Sequence, residues 1–413
     1  MTQTGVVAGG VLTDWVSLGV LACKVPRDAV DEAVAGTGRG ARRAGGKLPP
    51  HVVVYFVMAL ALFPDDDYEE VAVRLTQTLR GWGCWGRGWE PPTRGAVTQA
   101  RQRLGAEPMA ELFWQVAGPV ADLGTAGAFL GPWRLMSVDG MEWDVPDTPA
   151  NAAGFSRRAG SHGAGAFPKA RVVTVSECGS HAPVLAVIGR GGPGKGSGEQ
   201  SLARQLFPRL EEDWLLIADR NFYIWKDWCT AADTGAALLW RAKANARLPV
   251  LEALPDGSFR SVLIDPKITG PARDQITAAA QRDDDLDPEQ ARYARVIEYD
   301  VPDRDGELII LITTITDFRA APAGVLAEAY HQRWEHETGY AQLKTSLRGP
   351  GRVLRSGSPD LIEQEIWGYL LAHHAISALI CEAATAAGID PDRVKFRRTL
   401  RIIRRAVGPA FPP

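Results

Sequence analysis

Cysteine is scarce and unpatterned in this 413-residue chain: Cys23, Cys84, Cys178, Cys229 and Cys381, none in a C-x-x-C spacing. An odd, scattered set excludes a disulfide framework and a cysteine zinc site, and it suits a reducing cytosol. Net charge is small as well. The 46 Lys and Arg against 49 Asp and Glu leave −3, which excludes a uniformly basic nucleic-acid binder while leaving room for local basic patches. A basic leader and an uninterrupted membrane span are also missing. Asp14 breaks the apolar stretch that runs to Ala22-Cys23, His51–Phe63 is too short for a bilayer, and Ile366–Ala386 carries His373, His374 and Glu382. A soluble, cytoplasmic protein without a membrane is therefore expected. What is present is ordinary globular composition, 46% hydrophobic and 23% charged, at a length that suggests two or three domains of roughly 100–200 residues.

Residues 11–121 read as helices: Leu12–Cys23, Ala29–Ala35, Val52–Phe63, Tyr68–Leu79, Gly95–Leu104 and Pro108–Ala121, with apolar positions recurring at three and four as in Val71, Leu75 and Leu79. A Gly-rich basic loop with Arg39, Arg42, Arg43 and Lys47 separates the second from the third. The helix that follows Pro91-Pro92-Thr93 bears Arg94, Gln99, Arg101, Gln102 and Arg103, residue types suited to phosphates and base edges. The character changes at Trp133. Three strand-like runs (Trp133–Val145, Ala170–Glu177, Pro183–Ile188) precede a helix, the strand Trp214–Ala218, a helix Ile224–Ala232 and the strand Ala236–Arg241, an α/β order. Residues 248–316 read as an all-β insertion around an acidic loop, Arg282–Gln290. One long helix is expected over Gly324–Leu347, a buried one over Asp360–Ala386, and a basic amphipathic one over Arg393–Arg405.

Three acidic positions stand out. Asp139 closes the apolar run Leu135–Val138, and Asp219 closes Trp214–Ala218 and is followed by Arg220-Asn221-Phe222-Tyr223. Carboxylates at strand ends face the crevice where α/β proteins bind ligands. The third lies in YHQRWEHETGYAQLK. Tyr330, Arg333, Glu337 and Lys344 are three, four and seven residues apart, one stripe of a continuous helix, whereas Glu335 lies about 200° round it from Glu337. Carboxylates converging on ions roughly 3.5–4 Å apart can clamp the attacking and leaving oxygens of a phosphodiester. Such hard, oxygen-rich coordination suits Mg²⁺ or Mn²⁺. Arg220, Arg241 and Lys243 sit beside the acidic positions, where they could line a nucleic-acid channel.

The segments V-D-G at 138–140, A-D-R-N-F-Y at 218–223 and Y-x₂-R-x₃-E-x₆-K at 330–344, with F-P-K-A-R, W-R-A-K and V-L-R-S at 167, 240 and 353, resemble the DDE transposases of the insertion element 4 type. The resemblance runs from about residue 12 to 386. It implies an α/β ribonuclease-H-like core, a mixed sheet with helices, carrying a β-rich insertion, and an all-α N-terminal domain. The domains expected are 1–125 (helical, DNA-binding), 130–247 (first part of the catalytic core), 248–316 (β-rich insertion), 317–386 (rest of the core with the acidic helix) and 387–413 (basic tail). It also implies Asp139, Asp219 and Glu337 as catalytic metal ligands for two Mg²⁺ or Mn²⁺, and Tyr330, Arg333 and Lys344 as contacts to DNA phosphates. Arg101 and Arg103, by residue type alone, are expected as further DNA contacts in the N-terminal region. The expected partners are double-stranded DNA, as terminal inverted repeats and target, and a second copy in a synaptic homodimer, in the bacterial cytoplasm on the nucleoid. A nuclease or resolvase on the same core, and an inactive DNA-binding remnant with a shortened C-terminal assembly region, are the alternatives. GRGGPGKGSG at 189–198 departs from a phosphate loop because Gly196 follows Lys195, so nucleotide binding is not expected. His373 and His374 point about 100° apart on a helix and read as core residues, and Trp82, Trp85 and Trp89 as a packing plug.

Overall fold

The computed structural model describes residues 19–41, 48–81, 90–157, 159–160, 163–190, 198–301 and 307–407. The Trp82–Trp89 cluster, Arg42, Arg43, Lys47, Lys195 and the last six residues lie outside these, as does most of the expected first helix, of which Gly19–Cys23 forms a 3₁₀ turn.

The amino-terminal region folds as α1 (Arg27–Gly36), α2 (Pro50–Leu62), α3 (Tyr68–Gly81), α4 (Arg94–Leu104) and α5 (Glu107–Val116). Thr93 caps α4, its hydroxyl accepting from Ala96 N–H at 3.3 Å. Helix α2 has no polar face, and every residue from His51 to Leu62 is buried, because it packs against a second apolar helix from the far end of the chain. The two helices approach closely at one glycine. A Cβ on Gly368 would lie 2.8 Å from Val57 Cγ1 and 2.9 Å from the Val57 carbonyl oxygen, so a side chain there would push the pair apart. Burial of this face joins the N-terminal helices and the α/β region in one apolar cluster that runs from Met58 through Trp143 to Leu370.

After β1 (Phe129–Leu130) come β2 (Trp133–Asp144), α6 (Pro149–Gly154), the short ribbon β3 (Ala159–Gly160) with β4 (Gly163–Ala164), then β5 (Lys169–Glu177), β6 (Pro183–Gly189), α7 (Glu199–Ala203), β7 (Trp214–Ala218), α8 (Trp225–Ala232) and β8 (Ala237–Arg241). The insertion supplies β9 (Glu252–Ala253), β10 (Phe259–Ile264), α9 (Pro271–Gln281), β11 (Ala291–Val301) and β12 (Glu307–Thr313). Helices α10 (Ala323–His331), α11 (Arg333–Ala341), α12 (Pro359–Ala386) and α13 (Phe396–Ala406) complete the order. Among the described residues one ten-stranded sheet runs β6-β5-β2-β7-β8-β12-β11-β10-β9, with β1 beside β2. The β2–β7 and β7–β8 pairs are parallel; β6, β5 and β2 form an antiparallel meander. Among the described residues no helix is long and apolar enough to cross a membrane.

Two expectations are corrected here. The insertion is not all-β, since α9 lies inside it; Pro271 at its first turn and the run Ala278-Ala279-Ala280 carry helix propensity that outweighs the surrounding strand pattern. The helix over 324–347 is not continuous. It breaks at Gln332, and its last six residues, Gln342–Leu347, widen into π-helical winding.

Candidate active site

The parallel register pairs Val138 with Ala218, so Asp139 and Asp219 emerge side by side from adjacent strands. Asp139 is not at a strand end, as the apolar run suggested. Strand β2 continues to Asp144 against β5 after its pairing with β7 has stopped, which opens one edge of Asp139 to the cleft. Gly140 N–H donates to Asp139 Oδ1 at 2.8 Å. Helix α11 lies against this segment of β2. Tyr340 donates its hydroxyl to the Asp139 carbonyl at 2.5 Å, and His336 stands 2.7 Å from Ser137 Oγ and 2.9 Å from Thr174 Oγ1. Burial holds the His336 pKa down at about 3, so the ring is neutral near pH 7.

Glu337, one residue beyond His336, is exposed and paired with Arg333 at 3.2 Å. Tyr330 is buried, and its hydroxyl pKa is pushed up to about 12 by that burial and by nearby Asp219, against the pull of Arg333 and Arg241. Burial lowers the Lys344 pKa, opposed by Asp139 and Glu142. Tyr330, Arg333, Glu337 and Lys344 thus share the neighbourhood of the two aspartates despite the break at Gln332. The π-helical turn alters the winding between Glu337 and Lys344, and Lys344 still stands within the electrostatic reach of Asp139.

A fourth carboxylate enters from α7. Glu199 Oε2 accepts from Asn221 Nδ2 at 2.7 Å, and its side chain presses on Gly140, where an added Cβ would lie 2.0 Å from Glu199 Oε1. Burial raises the Asp139 pKa to about 6, and Glu199 and Glu337 add to the rise against the Gly140 N–H and Arg333. The cleft beside it, about 560 Å³, is lined by Gly140, Glu142, Arg171, Glu199, Asn221 and Lys344. A half-buried carboxylate pushed toward protonation by two other carboxylates is a set of oxygen donors that a divalent cation would relieve, and hard donors of this kind fit Mg²⁺ or Mn²⁺.

A family model described as "Transposase DDE domain" matches residues 133–374. The chain belongs to the DDE transposases. A second model, "Insertion element 4 transposase N-terminal", matches residues 15–114. The chain is 27% identical over 363 residues to the transposase InsG for insertion sequence element IS4 of Escherichia coli K12, covering 87% of this chain and 76% of InsG. A cryo-electron-microscopy structure of the piggyBac transposase synaptic complex with hairpin DNA aligns over 94% of this chain and 79% of its own, at 10% identity and a TM-score of 0.48. The protein is a DNA-cleaving transposase with the ribonuclease-H-like mixed sheet of its family, a family that works with divalent metal ions.

One DNA contact expected for this transposase is corrected. Arg101 is fully buried and donates to Gln364 Oε1 (2.8 Å), Tyr68 Oη (2.6 Å), Ser356 Oγ (3.0 Å) and the Leu361 carbonyl (3.1 Å). It fastens α4 to α12 and cannot reach a phosphate. Its neighbours Arg94, Gln99, Gln102 and Arg103 on α4 are exposed, as are Arg220 and Lys243 at the core, while Arg241 is half-buried. His373 and His374 are buried core residues. Sequence reasoning missed Glu199, His336 and Tyr340. The i, i+4 spacing of His336 and Tyr340 was visible; the strand they hold was not. Glu199 follows a Gly-rich stretch with no pattern of its own.

Proposed function

We propose that Asp139, Asp219 and Glu337 hold two divalent ions, Mg²⁺ or Mn²⁺, and that with them this transposase nicks the ends of its own insertion sequence and transfers the freed 3′-hydroxyl. The observation that supports this reading best is the parallel register that sets Asp139 beside Asp219 under a helix bonded to the Asp139 carbonyl itself. When bound, the ions supply Lewis-acid activation of the attacking oxygen and neutralise charge at the phosphate. The chain's own groups orient the rest. Arg333 steadies Glu337. Tyr330, Arg333 and Lys344 grip phosphates near the scissile bond, and Arg220, Arg241 and Lys243 line the approach.

Water breaks one phosphodiester and leaves a 3′-hydroxyl; that hydroxyl then displaces a second phosphodiester oxygen in line, either closing a hairpin or joining target DNA. No covalent protein–DNA bond is needed. Residues 1–125, through the exposed face of α4 with Arg103, read the terminal inverted repeats. Residues 130–247 and 317–386 form the catalytic core around the 248–316 insertion, and the basic tail 387–413 follows. Two copies synapse the two ends as a homodimer, in the cytoplasm on the nucleoid.

The test is a plasmid carrying the element's own ends, incubated with the purified chain and Mg²⁺ or Mn²⁺ beside a Glu337→Gln variant. Metal-dependent cleavage with joined products, reduced roughly 10³-fold or more in the variant, is expected. Cleavage that never yields joined products would replace the reading with a nuclease, and binding without cutting would make the chain an inactive remnant.

A further inference from the structure

Glu335 and Glu337 flank His336, and they serve different places. Glu335 turns away from the aspartates. Its Oε2 lies 2.7 Å from His181 Nε2, and Asp392 Oδ1 lies 3.3 Å from the same nitrogen. One ligand atom from each of the three falls within 4.8 Å of the others. They come from three separate elements: the turn between β5 and β6, helix α11, and the 3₁₀ turn Pro391–Arg393. His181 holds φ at +59°, a left-handed conformation uncommon for a residue other than glycine, so the turn presents this imidazole at some cost to its backbone. Beside the cluster lies a cavity of about 250 Å³ lined by Ser180, Thr338, Gln342, Ser377 and Lys395. Ser377 is 2% exposed, and its hydroxyl has no hydrogen-bond partner. A buried hydroxyl without a partner, facing a cavity next to an imidazole and two carboxylates, marks a place for a polar occupant.

We propose that His181, Glu335 and Asp392 form a second metal site, of the Zn²⁺ class, whose remaining position is taken by a water in the Ser377 cavity. The imidazole nitrogen is a borderline donor, and joined to two carboxylates it makes a mixed N/O set that favours Zn²⁺ or Co²⁺ over Mg²⁺. Tetrahedral Zn²⁺ with bonds of about 2.0–2.1 Å sets its ligands ~3.3 Å apart. The His181–Asp392 separation already has that value, and the His181–Glu335 contact has to open by ~0.6 Å. Gln342 Nε2 lies 3.0 Å from His181 Nδ1; ligation through His181 Nε2 requires the Gln342 amide to turn over, so that its Oε1 accepts from Nδ1–H as the outer partners of metal-bound histidines do. The site ties the segment before α13 to the helix that carries Glu337. It uses none of the residues proposed for the reaction.

The full chain carrying Asp139→Asn, Asp219→Asn and Glu337→Gln, stripped with chelator, removes the candidate active site as a metal binder. Titrated with Zn²⁺ alone, and with Co²⁺ alone for its visible spectrum, it should take up one equivalent, show a single imidazole by X-ray absorption, and gain thermal stability. Adding His181→Asn, which keeps a residue tolerant of positive φ, or Asp392→Asn should weaken binding at least ~10-fold. Asp392 is 47% exposed, so its variant stays folded and carries the test if the His181 variant does not. Substoichiometric uptake, a metal without imidazole, or affinity unchanged by Asp392→Asn would overturn the proposal.

Discussion

Tyr340 donates its hydroxyl to the backbone carbonyl of Asp139 at 2.5 Å, while lying 3.0 Å from Thr174 Oγ1. The helix that carries Glu337 is thereby bonded to the backbone of Asp139. Tyr340→Phe removes the hydroxyl that donates to the Asp139 carbonyl, while Thr174 Oγ1 keeps His336 and Ser176, and it should lower unfolding stability by about 1–2 kcal/mol. It should also slow single-turnover cleavage at unchanged DNA affinity. Urea unfolding and a single-turnover assay check the two effects; a loss of stability with full cleavage would reduce Tyr340 to packing.

Glu199 places negative charge against Asp139. Glu199→Gln keeps an oxygen for Asn221 and removes the charge. The Mg²⁺ or Mn²⁺ concentration for half-maximal cleavage should rise by ~10-fold, the size of effect typical of groups around a metal's direct ligands, with DNA affinity unaltered. A metal titration of cleavage decides it, and an unchanged midpoint removes Glu199 from the site.

Arg101 and Arg103 are two residues apart and should behave oppositely. Arg101→Ala strands the polar groups that its buried guanidinium bridges and should cost about 3–5 kcal/mol of stability. Arg103→Ala should change stability by less than ~0.5 kcal/mol and weaken binding of the element's ends. Denaturant melts and fluorescence anisotropy separate the pair. A stable Arg101 variant with specific loss of DNA binding would reverse the assignment.

His373 and His374 are buried, and burial holds their pKa values down at about 3 and about 4. Their ordinary value is about 6.5. Below pH 6.5 the unfolded chain therefore binds protons that the folded chain refuses. Stability contributed by each ring is complete above that pH and is lost as pH falls toward the folded value, by about 1.4 kcal/mol per unit per histidine. His374→Gln should remove one such contribution from the slope between pH 6.5 and 4.5, followed by unfolding free energies at stepped pH. Parallel slopes for both proteins would show that His374 is not buried neutral.

The sequence by itself determined the elements whose cause is local. Leu135–Val138 and Trp214–Ala218 are apolar runs that can only be buried strands, so Asp139 and Asp219 were legible as the first polar residues past them. The spacing of Tyr330, Arg333, Glu337 and Lys344 marked them as a helical group, although the break at Gln332 and the π turn at Gln342–Leu347 divide that helix. The alternation in Arg393–Arg405 marked an amphipathic helix, which buries Phe396, Leu400 and Ile403 as α13. Tertiary structure decided what depends on distant partners. The parallel register that sets Asp139 beside Asp219 is made between strands some 80 residues apart in the chain, and no local pattern encodes register. Arg101 sits in a helix whose composition reads as DNA-facing, yet Gln364, Ser356 and Leu361, more than 250 residues away, turn it into a core residue. Glu199 and Glu335 carried no motif; one acquired Asp139 as a neighbour and the other His181 and Asp392. Periodicity and propensity act over a few residues, whereas register, burial of a charge and convergence of carboxylates follow from which surfaces pack together, and only the folded chain settles that.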